Sequence, residues 1–442
     1  MKQRWCKGFL AAVFLAGAMP AVAQEREPAS DRSVVYIHAG RLLAEPGQAP
    51  RGPATIVVRG GEIAEVRDGF APPETGAALV DLSDDFVLPG LIDLHVHLLG
   101  PGGDPLADRL TAINRDVQDD LLQGVANARV TLLAGFTTVR DLGGTERSIR
   151  ALRDASQAGL VEAPTIVNAG HMLSVTGGHG DGRNGLGDLY SDAQGHQEYV
   201  CDGVEDCARA VRRQIGLGAQ VIKFAATGGV LSNVSGGLSQ AMTSTEMAAI
   251  IDTAHGLGRR VAAHSHADAG TRAAVEAGVD TIEHGSFLEP ETIALMKRRG
   301  TWLVPTMLAT RAAVAQAEAG ALPPAVVPKA REAVAAAADS HARAIDAGVK
   351  IAFGTDTGVS SHGRNAEEFV LMVAAGMTPA AAIRAATSDA AEVLGRANSV
   401  GRIAPGMTAD IIAVDGDPLL DVRELEDVDF VMKAGRVILH ED

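Results

Sequence analysis

Apolar and polar positions change rhythm twice along this chain. Near the amino end, short alternating runs at Val34–His38, Thr55–Arg59 and Ile63–Val66 read as strands, with Gly60-Gly61 turning the last two into a hairpin. The carboxyl end follows suit: Asp410–Val414 and Phe430–Lys433 read as strands, and Ala434-Gly435 turns the chain before Val437. Between these ends lie eight apolar runs, each closing on polar or glycine residues: Leu91–His97, Phe136–Leu142, Thr165–Ser174, Val221–Thr227, Arg260–His266, Thr281–Gly285, Trp302–Met307 and Ile351–Thr357. Helical stretches such as Ser244–Leu257 and Ala269–Ala277 separate them. The alanine-rich Ala312–Ala347 also reads as helix, because alanine has the highest helix propensity. This alternation predicts an α/β fold, a (β/α)₈ TIM-type barrel of parallel strands over residues 89–404. The change of grammar at both ends predicts a small β-sandwich domain built from residues 24–88 and 405–442.

With 442 residues, 46% of them hydrophobic, the chain can bury a core of that size. The formal net charge of −16, without any Lys/Arg-rich run, argues against a nucleic-acid partner, since phosphate binding needs a basic footprint. Residues 1–23 read as a secretory signal peptide. Lys2, Arg4 and Lys7 precede the apolar Phe9–Ala18, and Ala21-Val22-Ala23 is an A-x-A cleavage pattern before Gln24. The apolar stretch is too short to span a bilayer, so the expectation is an exported protein, periplasmic or secreted, with no membrane span. Cys6 would leave with the signal. Cys201 and Cys207 remain, and an even pair in an oxidising compartment points to a disulfide closing a short loop, with free thiols or a metal pair as the other readings.

The candidate chemistry falls on the strand ends. His95 and His97 are two apart on the first barrel strand, so both imidazoles face the same way, into the barrel mouth. An H-x-H alone says little. It is joined by Lys223 in the fourth strand, His264 near the end of the fifth, His284 near the end of the sixth and Asp356 near the end of the eighth. Catalytic groups in such barrels collect at the C-terminal ends of strands. His266 shares the face of His264 and is either an alternative ligand or a substrate contact. His179 sits in a glycine-rich loop after the third strand, placed to hydrogen-bond a carbonyl oxyanion. Asp141 pairs with Arg140 or orients a ligand histidine, or is structural. Arg183, His362 and Arg364 lie in loops where a cation for a substrate carboxylate belongs.

These segments resemble the amidohydrolase superfamily: Val87-Leu88-Pro89-Gly90-Leu91-Ile92-Asp93-Leu94-His95-Val96-His97, Ala134-Gly135-Phe136-Thr137-Thr138-Val139-Arg140-Asp141, Ile282-Glu283-His284-Gly285, Gly354-Thr355-Asp356 and the stretch from Gly401 to Asp410. Within it, Thr176-Gly177-Gly178-His179-Gly180-Asp181 and Ile222-Lys223 with Gly228-Gly229-Val230 are similar to the prolidase or Xaa-dipeptidase-like branch, which includes N-acyl amino acid amidases and an ochratoxin-hydrolysing group. The resemblance implies two divalent metal ions, zinc being suited to the donors. His95, His97 and Asp356 would hold the more buried ion and His264 and His284 the outer one, with a carboxylated Lys223 bridging them. It further implies attack by a metal-bridging hydroxide on the amide of a dipeptide, N-acyl amino acid or ochratoxin-type substrate, with Asp356 accepting the proton and passing it to the leaving amine. A homo-oligomer is expected on the same ground. The alternatives are a cyclic-amide, imidazolonepropionase-like hydrolase, against which Lys223 argues, and a non-catalytic periplasmic metal-binding protein, against which Asp356 argues.

Overall fold

A computed structural model describes residues 34–100, 102, 114–184, 186–195, 197–232, 236–322 and 326–441; the segment 1–23, expected to be a signal peptide, lies outside the described residues. Four strands open the chain: β1 (Val34–Leu42), β2 (Ala54–Arg59), β3 (Glu62–Asp68) and β4 (Ala78–Pro89). Seven more follow among helices: β5 (Leu91–Val96), β6 (Phe136–Asp141), β7 (Thr165–Asn168), β8 (Val221–Ala225), β9 (Arg260–Ala267), β10 (Thr281–Phe287) and β11 (Trp302–Val304). Three close the chain: β12 (Ile411–Val414), β13 (Phe430–Lys433) and β14 (Arg436–His440).

Strands from the two ends join in one seven-stranded sheet of order β14-β13-β12-β4-β1-β2-β3. Its hinge is β4, which the sequence pattern did not predict because Ser83-Asp84-Asp85 interrupts its apolar alternation. β4 pairs in parallel with β1 from Ala78 to Val87, and on its other side Phe86–Pro89 pairs antiparallel with β12. The β1–β4 register shifts between Ala39 and Arg41, where Ser83-Asp84-Asp85 of β4 crowds Gly40: a Cβ there would sit 2.1 Å from the Ser83 carbonyl oxygen. Ile37, Ile56, Val58 and Val80 from one end share a core with Ile411, Ala413, Phe430 and Met432 from the other.

The middle of the chain forms two parallel sheets, β5-β6-β7 and β8-β9-β10-β11. Parallel bridges Leu173↔Phe224, Leu303↔Ile351 and Val96↔Thr357 connect them, the Ile351–Thr357 segment supplying the eighth position through single bridges. Three predicted strands are therefore shorter than their apolar runs. Gly170, at φ 72°, turns the chain after β7. Pro305 offers no N–H to extend β11. In the eighth run, Asp356 at φ 58° breaks the extended conformation.

The helices flank these strands. Ser244–Gly256 starts on a capping box in which Thr243 and Glu246 satisfy each other's backbone N–H. The alanine-rich stretch is two helices, Met307–Glu318 and Val327–Asp346, and not one. Gly320 takes φ 73° after the first, and Pro328 enters the first turn of the second, where its missing N–H costs nothing. Phe353 packs against both Phe136 and Phe369, with ring centroids 5.5 and 4.4 Å apart, tying the eighth position to its neighbours. Cys201, just before helix Val204–Gly216, is joined in a disulfide to Cys207 in the first turn of that helix. Among the described residues no helix is long and apolar enough to cross a membrane.

Candidate active site

β5 is buried along its whole length, and its alternation brings His95 to the strand ends where β8, β9 and β10 deliver Lys223, His264 and His284. His95 Nε2 lies 3.5 Å and His97 Nε2 3.0 Å from the same Oδ1 of Asp356. Lys223 Nζ is 3.4 Å from His95 Nε2. Two sets of donor atoms, His95/His284/Asp356 and His264/His266/His284, each fall within 4.8 Å of one another and share His284. The His179 ring lies over His264 at 4.2 Å. All of these residues line one cavity of about 310 Å³. Its walls are apolar: Val230 and Leu231 on one side, Ala309, Ala313 and Ala333 from the two alanine-rich helices on the other.

The charge states follow from burial. Loss of water lowers the His95 and His179 pKa to about 4 and that of His266 to about 3, with His264 and His284 also well below the ordinary imidazole value. These rings are neutral at pH 7, and each has a lone pair to give. Burial pushes His97 in the same direction, but its contact with Asp356 wins and raises it. Asp356 is the mirror case: burial would raise its carboxyl, while His95, His97 and Lys223 hold it below the usual range. Burial lowers Lys223 to about 8 against the pull of Glu283 and Asp356, so part of its amine is uncharged near neutrality. That is the form that carbon dioxide needs.

This donor set fits divalent metal. Neutral imidazoles and a carboxylate are the ligands zinc takes. Three of the rings have a partner for the other nitrogen: His97 Nδ1 donates to the Gly143 carbonyl at 3.0 Å, His266 Nδ1 meets Ser286 Oγ at 2.8 Å, and His284 Nδ1 meets Thr306 Oγ1 at 2.7 Å. His264 Nε2 is buried with no hydrogen-bond partner among the described residues, an orphan that a bound ion would satisfy. Among the described residues, the non-glycine positions with positive φ are His284, Thr306, Asp356 and Ala434, and the first three are at this site. Such backbone persists only where the surroundings over-determine it.

Several residues expected here are elsewhere. The Arg183 guanidinium is spent on Asp181, with bonds of 2.8 and 2.7 Å, and Arg364 pairs with Glu367. His362 Nε2 lies 3.3 Å from the Gly100 carbonyl. None of the three lines the cavity. Loop position suggested them, but a local carboxylate claims each arginine first. Asp141 does not pair with Arg140 either: its oxygens accept from the N–H groups of Leu98 at 2.8 Å and Gly143 at 3.3 Å, shaping the loop around His97.

Glu283 joins the site without having been singled out by the sequence pattern. It is fully buried, receives Arg140 Nη2 at 2.8 Å, and has its other oxygen 2.9 Å from His95 Nδ1. Burial alone would raise its carboxyl, yet Arg140, His95 and Lys223 bring it to about 2. A charged residue inside a fully buried strand was the available signal. Its partner, 143 residues away, was not readable.

The comparisons agree with this geometry. The model of the amidohydrolase family matches residues 86–438. An ochratoxinase of Aspergillus niger is 32% identical over 92% of this chain and 87% of its own length. The crystal structure of a Xaa-Pro dipeptidase with methionine bound in its active site is 36% identical and covers 92% of this chain and 100% of that one, with a TM-score of 0.87. A prolidase complexed with N-methylphosphonate-L-proline is 30% identical over 92% of this chain and 100% of its own, with a TM-score of 0.84. The chain belongs to the amidohydrolase family and is a hydrolase of amide bonds.

Proposed function

We propose that this enzyme is a binuclear, metal-dependent amidohydrolase that cleaves the amide bond of dipeptides or N-acyl amino acids. The observation that carries the reading is the pair of donor clusters sharing His284 in one cavity, with Lys223 beside His95. The relatives named above, a dipeptidase, a prolidase and an ochratoxinase, support the substrate class. In this reading His95, His97 and Asp356 hold one ion, His264 and His284 the other, and a carboxylated Lys223 links them. Bound divalent ions, zinc in the first instance, acidify water and polarise the scissile carbonyl.

The chain's own groups do the rest. Asp356, kept ionised by His95, His97 and Lys223, takes the proton at a carboxylate oxygen and delivers it to the departing amine nitrogen. His179, neutral and packed against His264, donates to the carbonyl oxygen as negative charge builds there. His266, with Nδ1 engaged by Ser286, turns its other ring nitrogen toward the substrate. The small-residue wall of the two alanine-rich helices receives an apolar side chain.

The same reading treats the two parallel sheets and their three connecting bridges as one (β/α)₈ barrel over residues 89–404, and the terminal strands as a β-sandwich of 24–88 and 405–442. It also takes the protein as exported after residue 23, with which a Cys201–Cys207 disulfide is consistent. The test is a mass-spectrometric hydrolysis screen of the metal-loaded protein against dipeptides, including Xaa-Pro, and N-acyl amino acids. Metal-dependent cleavage that disappears in Asp356→Asn is expected. If every linear amide survives while a cyclic amide is opened, the substrate class proposed here is wrong.

A further inference from the structure

Thr306 occupies the N-cap position of helix Met307–Glu318, where a threonine hydroxyl ordinarily accepts from the second or third backbone N–H of the helix. Here it makes no such cap, and its backbone is left-handed at φ 50°, ψ 46°, a conformation that β-branched residues avoid. The first turn is satisfied from elsewhere. Glu368, fully buried in helix Glu367–Ala374, accepts from the N–H groups of Met307 at 2.9 Å and Leu308 at 2.6 Å.

The hydroxyl released from capping meets His284 Nδ1 at 2.7 Å and donates its hydrogen to the Pro305 carbonyl at 2.8 Å. A hydroxyl has one hydrogen, so toward His284 the Thr306 oxygen can only accept. That fixes the His284 proton on Nδ1 and leaves the lone pair on Nε2. From the other side, His341 Nε2 donates to the His284 backbone carbonyl at 2.6 Å, where His284 itself sits at φ 73°. Ring and backbone of the one histidine common to both donor clusters are thus held independently.

We propose that Thr306 is a positioning residue for the metal centre: kept from capping by Glu368, it sets the tautomer and direction of His284 so that Nε2 faces the ion. The inference rests on the metal-centre reading above. A threonine that served only to start the helix would cap it and would need no left-handed backbone.

The test compares the full protein with its Thr306→Val, Thr306→Gly and Thr306→Ser variants. Zn²⁺ affinity is read by competition with a chromophoric chelator. The His284 tautomer is read in metal-free wild type by long-range ¹H–¹⁵N correlation, its signal identified as the one lost in His284→Asn. The expected results are the Nδ1–H form in wild type, a loss of roughly 10–100-fold in affinity for Val and Gly, and less than about threefold for Ser, which keeps the hydroxyl. Glycine tolerates the left-handed backbone, so Thr306→Gly separates lost positioning from lost folding: it should bind metal poorly while resisting urea at least as well as Thr306→Val. Wild-type affinity in Val and Gly, an equal loss in Ser, or a proton on Nε2 would each overturn the role of Thr306. A wild type that binds no divalent ion would overturn the metal-centre reading, and this inference with it.

Discussion

Replacing Arg140 with methionine should cost the protein several kcal/mol without touching any residue that lines the cavity. The guanidinium is almost wholly buried and makes three bonds: Nε to the Leu94 carbonyl at 2.6 Å, Nη1 to Thr281 Oγ1 at 3.2 Å, and Nη2 to Glu283 at 2.8 Å. Arg140→Met keeps much of the volume but strands the Glu283 carboxylate and the Leu94 carbonyl in the interior. Removing one partner of a buried ion pair costs about 3–5 kcal/mol, because the other charge is left without compensation. Glu283→Gln should cost less, on the order of 2–4 kcal/mol, since the amide oxygen still accepts from Arg140. The double variant should be no worse than the sum less about 2 kcal/mol, as contacting partners do not add. Urea unfolding followed by the fluorescence of Trp302, the only tryptophan after residue 5, gives all four corners of the cycle. Metal content measured alongside should fall in Glu283→Gln, because the Glu283 oxygen beside His95 Nδ1 orients that ring. A loss below about 1 kcal/mol in Arg140→Met, or an additive cycle, would refute the buried-pair argument.

Three further outcomes are expected. A Cβ at Gly229 would lie 2.3 Å from the His179 ring, which is itself packed against His264, so Gly229→Ala should displace His179 and lower kcat roughly 10²-fold while thermal unfolding stays near wild type; steady-state kinetics decide it, and unchanged kcat removes His179 from the reaction. Burial would raise Glu146, but His171 at 3.1 Å and Arg213 at 3.1 Å bring its pKa to about 2 from the reference 4.5. A depressed carboxylate stabilises the fold above its unfolded pKa, so the advantage of wild type over Glu146→Gln, about 1–2 kcal/mol after allowing for solvent, should be complete above pH 4.5 and fade as pH falls toward 2; an advantage constant through that window speaks against the assignment. The disulfide closes a loop with a sequence separation of 6, for which the chain-entropy relation gives about 2 kcal/mol. Cys201→Ala/Cys207→Ala should lose about that much in urea without changing kcat/KM, and a loss of catalysis at preserved stability would contradict a purely structural role.

What the sequence determined by itself was whatever repeats locally. The period-two alternation of the first barrel run placed His95 and His97 on one face, and Lys223, His264, His284 and Asp356 were readable because each lies within or near the end of an apolar run. The joining of the two chain ends was legible for the same reason, as matching strand-and-turn patterns. The failures were failures of range. Position in a loop nominated Arg183 and Arg364, but Asp181 in the same loop and Glu367 at the start of the following helix pair with them. One alanine-rich run became two helices, since propensity says where a helix is favourable and Gly320 and the prolines decide where it stops.

Tertiary structure alone decided which groups serve the ligands. Arg140 finds Glu283 across 143 residues, and Glu368 reaches back 60 residues to the start of a helix whose own threonine is turned toward His284. These pairings depend on where strands and helices come to lie in space, and no period or spacing encodes that. A charged group buried in the interior must find a partner there, and the chain that supplies the partner is fixed only when the strands close around it.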